Sequence, residues 1–390
     1  MEWMVPFMWI AKSIFYVSLF SVIYIYFGYP LLVYLFSITA RKEIRKKEYE
    51  PEVTILIAAY NEEKEIEDTI VNKLEIDYPR EKLEIIVVSD GSTDQTDEIV
   101  KKYQGLGVKL LRQEPRAGKT AAFNRAILEA RGEIILFSDA NSKYSRDVVH
   151  KLVRNFNDES VGYVTGRMIY TNPDNTSMGE GSTNYMNYES FLRRHETKLG
   201  SIVGVNGGVD AIRKKLYRPM NPDQLPDFIL PLGIVEKGYR VIYEPEAIVY
   251  ERSLETPTDE YRMRVRVSLR TLWALSDMRR LLSVRKFGLY AWQLWSHKVL
   301  RYLCFIFLVG FYLGNMVLWG EGSVYKAVFV VQTGGYLLAI GSLLYEKAGN
   351  RIRMFHLFAY FLVLNMASAH AFVKFILGQK QIVWEPRKGI

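Results

Sequence analysis

A single cysteine, Cys304, stands in 390 residues, which rules out an intramolecular disulfide and a cysteine-held metal cluster and leaves no sign of extracellular maturation. It lies in an apolar run and reads as a buried structural thiol. The low hydrophobicity and high net charge of a disordered chain are missing, since 49% of residues are hydrophobic and 24% charged. A net charge of +8 comes without zinc-finger spacing or an RNP-like aromatic motif, so nucleic acid is not an expected partner. A P-loop is absent as well. Gly118-Lys119-Thr120 ends like one, but the first glycine of G-x-x-x-x-G-K-[ST] would fall at Gln113.

What the chain has in quantity is segregated hydrophobicity. A mean hydropathy of −0.03 averages long apolar runs at both ends with a polar middle. Residues 6–40 contain one basic residue, Lys12, and stop at Arg41-Lys42-Glu43-Ile44-Arg45-Lys46-Lys47, the pattern of an uncleaved anchor and not of a signal peptide. Runs at 299–319, 324–345 and 354–377 each approach the roughly 20 residues a spanning helix needs. They carry no acidic residue and no visible repeat, which argues against a transporter. Basic clusters at 41–47, 262–286 and 346–353 point inward, so a multi-pass protein of the cell membrane with its polar middle in the cytoplasm is expected. Four spans in that orientation put both termini outside, against Lys380, Arg387 and Lys388 in the tail. Two resolutions stay open: a helical hairpin broken near Tyr29-Pro30, or a re-entrant C-terminal run.

The middle alternates β-branched runs with amphipathic stretches. Residues 53–57, 83–88, 108–111 and 133–138 read as strands, and 63–74, 94–103 and 119–131 as helices. That rhythm predicts an α/β domain around a mostly parallel sheet covered on both faces. Such sheets bind ligands beyond the carboxyl ends of their strands. Ala59-Tyr60-Asn61-Glu62 follow the first strand, Ser89-Asp90-Gly91-Ser92-Thr93-Asp94 the second and Ser138-Asp139-Ala140-Asn141 the fourth. These residue types also form turns and caps, and Ser92-Thr93-Asp94 suits a cap for the next helix. A carboxylate at each of these ends favours one shared site.

These residues resemble the membrane-integrated family 2 glycosyltransferases of GT-A type, inverting enzymes related to bacterial poly-N-acetylglucosamine, cellulose and hyaluronan synthases. The resemblance covers nearly the whole chain. It rests on Ala58-Ala59-Tyr60-Asn61-Glu62, Val88-Ser89-Asp90-Gly91-Ser92-Thr93-Asp94, Arg116-Ala117-Gly118-Lys119-Thr120-Ala121-Ala122-Phe123-Asn124 and Phe137-Ser138-Asp139-Ala140-Asn141. It continues through Leu225-Pro226-Asp227-Phe228, Gly238-Tyr239-Arg240-Val241 and Tyr243-Glu244-Pro245-Glu246-Ala247.

The resemblance implies transfer of a sugar from a UDP-hexose or UDP-N-acetylhexosamine to a hydroxyl of a glycan or lipid-linked acceptor, with a β-linkage. Glu62 and Asp90 would grip uridine, Asp139 would lie beside ribose and diphosphate, and Lys119 and Arg266 would meet the diphosphate. Mg2+ or Mn2+ would sit at Asp139 and Asn141, where Asp139-Ala140-Asn141 replaces the family's D-x-D and the neutral amide weakens the site. Asp227 would take the acceptor proton; the alternative is an N-cap for residues 228–237. Gly207 and Gly208 resemble the acceptor-side loop, with a simple turn as the alternative. A catalytically silent protein on the same fold is the competing reading, opposed by the retained Asp90, Asp139 and Asp227.

Arg262, Arg266 and Arg270 recur every fourth residue, with Val265, Leu269, Leu272 and Trp273 toward another face, so this stretch reads as an interfacial helix offering a basic face to anionic lipid. Processive relatives carry Q-x-x-R-W here. The best match, Met263-Arg264-Val265-Arg266-Val267, lacks Gln and Trp, which argues against long-chain processivity and leaves Trp273 as the alternative aromatic. The expected layout is an anchor at 1–40, a catalytic domain at 50–250, interfacial helices at 251–298, about three spans at 299–378 and a tail at 379–390.

Overall fold

The computed structural model describes residues 4–171, 177–254, 256–347 and 356–381. The chain opens with α1 (Met4–Ile23) and α2 (Tyr29–Thr39), joined through a π turn at Tyr24–Gly28 into one helical run. Pro30 has no N–H to offer the carbonyl of Tyr26, and the Tyr188 hydroxyl approaches that oxygen at 3.4 Å instead. The irregularity is absorbed as a bulge, so the first run is one helix and not the hairpin considered from sequence.

The strands are β1 (Val53–Ala59), β2 (Leu83–Asp90), β3 (Val108–Gln113), β4 (Ile134–Asp139), β5 (Lys143–Tyr144), β6 (Val161–Tyr170), β7 (Asp210–Arg213) and β8 (Arg240–Glu251). They form one mostly parallel sheet in the order β3-β2-β1-β4-β7-β6-β8-β5, in which β7 and the short edge strand β5 are reversed. α3 (Ile66–Leu74), α4 (Thr96–Lys102), α5 (Lys119–Glu129) and α6 (Val148–Val153) cover it. β1 is buried along its whole length, and its alternation sorts the core: Leu56 and Ala58 join Ile86, Phe123 and Phe137 on one face, while Ile55 and Ile57 join Ile66, Ile70 and Val87 on the other. α3 starts later than residue 63 because the Glu62 carbonyl first closes a turn with the amides of Glu65 and Ile66. α4 starts later than 94 because Asp94 forms a turn ahead of it, accepting from the Thr96 amide at 3.0 Å and hydroxyl at 2.6 Å; the N-cap is Gln95, with no side-chain cap, in place of the cap expected of Ser92-Thr93-Asp94.

The remaining helices are α7 (Ser177–Leu199), α8 (Pro226–Glu236), α9 (Pro257–Asp277), α10 (Val284–Leu294), α11 (Leu300–Tyr302), α12 (Cys304–Val317), α13 (Ser323–Lys347) and α14 (His356–Ile376). Among the described residues, four helical stretches are long and apolar enough to cross a membrane: Pro6–Thr39, Cys304–Glu321, Ser323–Tyr345 and His356–Ile376. Most of the basic cluster at 346–353, and the tail beyond residue 381 with Arg387 and Lys388, lie outside the described residues. α9 departs from the sequence reading. Its apolar side, Val265 and Leu269, packs on Ala367 and Ala371 of α14, and Arg270 is buried against the loop ahead of α8, so the helix is clamped by protein and does not lie with this face on lipid. Trp273 donates to the Gln379 carbonyl at 2.8 Å and packs edge-on against Phe375.

Candidate functional site

Parallel pairing delivers the ends of β1 to β4 to one edge, and the antiparallel match of Phe137 with Asp210 brings the start of β7 there. β8 runs parallel to β6 and ends at the same edge with Glu251. The expected residues after β1, β2 and β4 therefore meet. Glu62 is half-buried in the loop after β1, its amide donating to the Thr96 hydroxyl at 2.8 Å. Asn61 beside it adopts φ 54°, which Asn tolerates, and its side-chain oxygen accepts from the Thr93 amide at 2.8 Å.

Asp90 is completely buried. Its Oδ1 accepts from Gln113 Nε2 at 2.6 Å and the Ala117 amide at 2.8 Å, and its Oδ2 from the Gly118 amide at 2.8 Å. The carboxylate thus pins the segment that leads into α5. The same segment lays the Arg116 guanidinium 3.4 Å from the centre of the Tyr60 ring.

Lys119, the first residue of α5, bridges the two acids predicted to do different work. Its ammonium is ion-paired with Asp139 and lies 4.0 Å from Asp227 Oδ2. Burial alone would lower its pKa, but Asp139 and Asp227 overcome this and hold it raised. Asp227 is the second residue of α8, behind Leu225 as N-cap and Pro226, and no side chain caps this helix, so the capping alternative fails. Burial raises the Asp227 carboxyl above the ordinary range; Asp139 adds to the shift, while Lys119, Arg270 and Arg266 oppose it. Arg266 is half-buried and acts here through its charge.

Gly207 and Gly208 have φ 73° and 71°, and both crowd the acids. A Cβ on Gly207 would meet Asp227 Oδ2 at 2.8 Å, and one on Gly208 would meet Glu251 Oε1 at 2.7 Å. The loop is a turn and a close approach at once. Arg193 anchors it through the Gly204 carbonyl at 2.9 Å and the Asn206 side chain.

Several residues were not expected here. Arg270 holds the backbone carbonyls of Asp223, at 3.2 Å, and Gln224, just ahead of Asp227. Glu251 accepts from the Ser142 hydroxyl beneath the Asp139 loop. Asp210 is fully buried, and neither of its oxygens reaches hydrogen-bond geometry, although its register partner Thr165 is near enough to temper its titration. Burial and the charge of Asp227 push it up to about 7. A lone acid inside the buried stretch Val209-Asp210-Ala211-Ile212 was the available signal.

Among the described residues no three His, Cys, Asp or Glu side chains form a preformed metal cage. Asp139 keeps 36% of its side chain exposed, and Asn141 is half-buried two residues on. A cleft of about 550 Å³ between Glu52, Arg131, Arg213 and Lys214 opens at the opposite edge of the sheet and contains none of these groups.

The glycosyl transferase family 2 model matches residues 54–219. The poly-beta-1,6-N-acetyl-D-glucosamine synthase of Staphylococcus aureus strain COL is 29% identical over 304 residues, covering 72% of this chain and 70% of that one. YdaM of Bacillus subtilis strain 168, described as a probable glycosyltransferase, is 31% identical over 232 residues, 55% of this chain and 54% of its own. The fold matches that of mannosyltransferase PcManGT from Pyrobaculum calidifontis, solved with GDP-Man and Mn2+, with a TM-score of 0.72 and 23% identity, across 94% of this chain and 99% of that one. The chain is a glycosyltransferase carrying a family 2 domain on a GT-A-like α/β fold.

Proposed function

We propose that the protein is a membrane-bound inverting glycosyltransferase that moves a hexose or N-acetylhexosamine from a UDP-sugar to a hydroxyl of a glycan or lipid-linked acceptor, forming a β-linkage. The observation that carries this reading is Lys119 standing between Asp139 on the nucleotide side and Asp227 on the side of the Gly207-Gly208 loop. In this reading the catalytic domain spans 50–250 and faces the cytoplasm, with the apolar helices in the cell membrane.

The loops of Glu62 and Asp90 hold the nucleoside, and Lys119 and Arg266 face the diphosphate. Mg2+ or Mn2+, when bound, neutralises the leaving diphosphate, and Asp139 and Asn141 are the residues that would hold it. One partly exposed carboxylate and one amide suit an ion that takes its other ligands from phosphate oxygens and water. Asp227 accepts the acceptor proton as the acceptor oxygen attacks the anomeric carbon from the face opposite the diphosphate. Its raised pKa makes it a better base than an exposed aspartate, and the charge of the nearby Lys119 favours the ionised form that accepts a proton. Proton transfer occurs as the diphosphate leaves, so positioning by Arg270 and the glycine loop matters as much as basicity.

UDP release from a panel of UDP-sugars, with and without Mg2+ or Mn2+, tests the reading. Metal-dependent release with one or two donors is expected. No release from any donor would remove it in favour of a silent binding protein.

A further inference from the structure

On the membrane side of this site a cavity of about 50 Å³ opens where the first span meets α7, α9, α11 and α14, with Tyr26 and Asn365 contributed by candidate spans. Its wall carries Arg264, His297, Lys298 and Arg301 and no carboxylate. The acids that balance them do not line it. Glu189 is shared among Arg301, Arg193 at 3.4 Å and His297 at 3.1 Å, while Glu260 takes Arg264 at 2.8 Å. Lys298 is 9% exposed, and its nearest paired carboxylate oxygen, on Glu189, is 3.8 Å away. Clustered buried cations are costly unless an anion joins them.

The cavity is also tied to the catalytic loop. Lys298 Nζ lies 2.5 Å from where a Cβ of Gly204 would be, and three residues on Gly207 faces Asp227. The volume, a few times the roughly 10–15 Å³ that one water needs by the same measure, suits a phosphate group and not a sugar ring. Span residues in the wall favour an anion delivered from the bilayer over one from solution.

We infer that this cavity holds one phosphate of the phosphate or diphosphate head of a lipid-linked acceptor, so that the loop from Gly204 to Gly208 presents the acceptor's sugar hydroxyl to Asp227. The inference rests on the glycosyltransferase reading and chooses the lipid-linked acceptor within it.

The test uses the full-length protein in nanodiscs with two acceptors, an isoprenyl diphosphate-linked sugar and the octyl glycoside of the same sugar, and with isoprenyl diphosphate and inorganic diphosphate as binding probes. The KM for the diphosphate-linked acceptor should be lower by about tenfold or more, and Lys298→Gln should raise it by about that factor without moving the KM of the octyl glycoside. Lys298→Arg should restore it, which a merely misfolded Lys298→Gln would not explain. Calorimetry should show isoprenyl diphosphate binding to the parent and lost in Lys298→Gln. Equal KM values for the two acceptors, binding indifferent to Lys298→Gln, or inorganic diphosphate binding as tightly as the lipid would each overturn the assignment. Because the binding arm needs no donor, failure to release UDP would count against the glycosyltransferase reading alone.

Discussion

The sheet edge and the junction beneath it use the same residue types in opposite ways. At the edge, Asp139 and Asp227 keep 36% and 24% of their side chains exposed around one lysine. At the junction the side chains of Glu189, Glu196 and His297 are 1% exposed or less and hold each other at 2.7 and 3.1 Å. Tyr29 of the first span adds its hydroxyl to Glu196 at 2.5 Å, and Val33 packs on Leu192 and Leu199 of α7. Buried charges survive only when paired, whereas half-open ones can exchange partners with a ligand. The edge is therefore open to exchange with a ligand, and the junction fastens an apolar helix, long enough to cross a membrane, to the α/β domain. The cationic cavity lies where the two regimes meet.

Substitutions can break this contrast. At the edge, Asp227→Asn should lower transfer by about 10²–10⁴-fold while UDP-sugar affinity changes less than about twofold, since this carboxylate faces the Gly207-Gly208 loop, proposed to receive the acceptor. Melting should hardly change, because Asp227 caps no helix. Equal loss of affinity and rate would make it a donor-binding residue. At the junction the signs reverse. Glu189→Gln leaves Arg193, Lys298 and Arg301 without their shared carboxylate and should cost about 3–5 kcal/mol, read as a melting point lower by on the order of 10 °C. Melting within a degree of the parent would show the network to be dispensable.

Asp210 sharpens the comparison because it is an edge residue buried like a junction residue but unpaired. Its folded pKa of about 7 exceeds the ordinary 3.8, so the native state binds the extra proton between those values. Its stabilising contribution is full below about pH 4, falls as pH rises toward 7 and is flat above. Asp210→Asn should therefore melt like the parent near pH 4 and higher than the parent at pH 8, by up to a few kcal/mol. A pH-independent difference would mean that Asp210 does not titrate in this range.

Much of the edge was readable from the chain because strand ends and turn chemistry are local: β-branched runs gave β1 to β4, and the acids followed them. The same locality explains what was missed. Asp210, Glu251 and Arg270 reach the site through β7, β8 and α9, whose neighbours are set by pairing across long separations. The every-fourth-residue spacing of Arg262, Arg266 and Arg270 identified a helix face but not what covers it, so Arg270 was read toward lipid when it holds the loop before Asp227. Hydropathy found the apolar runs, while the hydroxyl that approaches the carbonyl left free before Pro30 comes from Tyr188, far along the chain.

The central claim is a single in-line displacement in which Asp227 serves as base and no protein group forms a bond to the sugar. The most direct measurement is the anomeric configuration of the product formed from an α-linked UDP-sugar, read from the coupling constant of its anomeric proton by NMR. The account predicts a β-glycoside. An α-glycoside would contradict it and require a different mechanism at this edge.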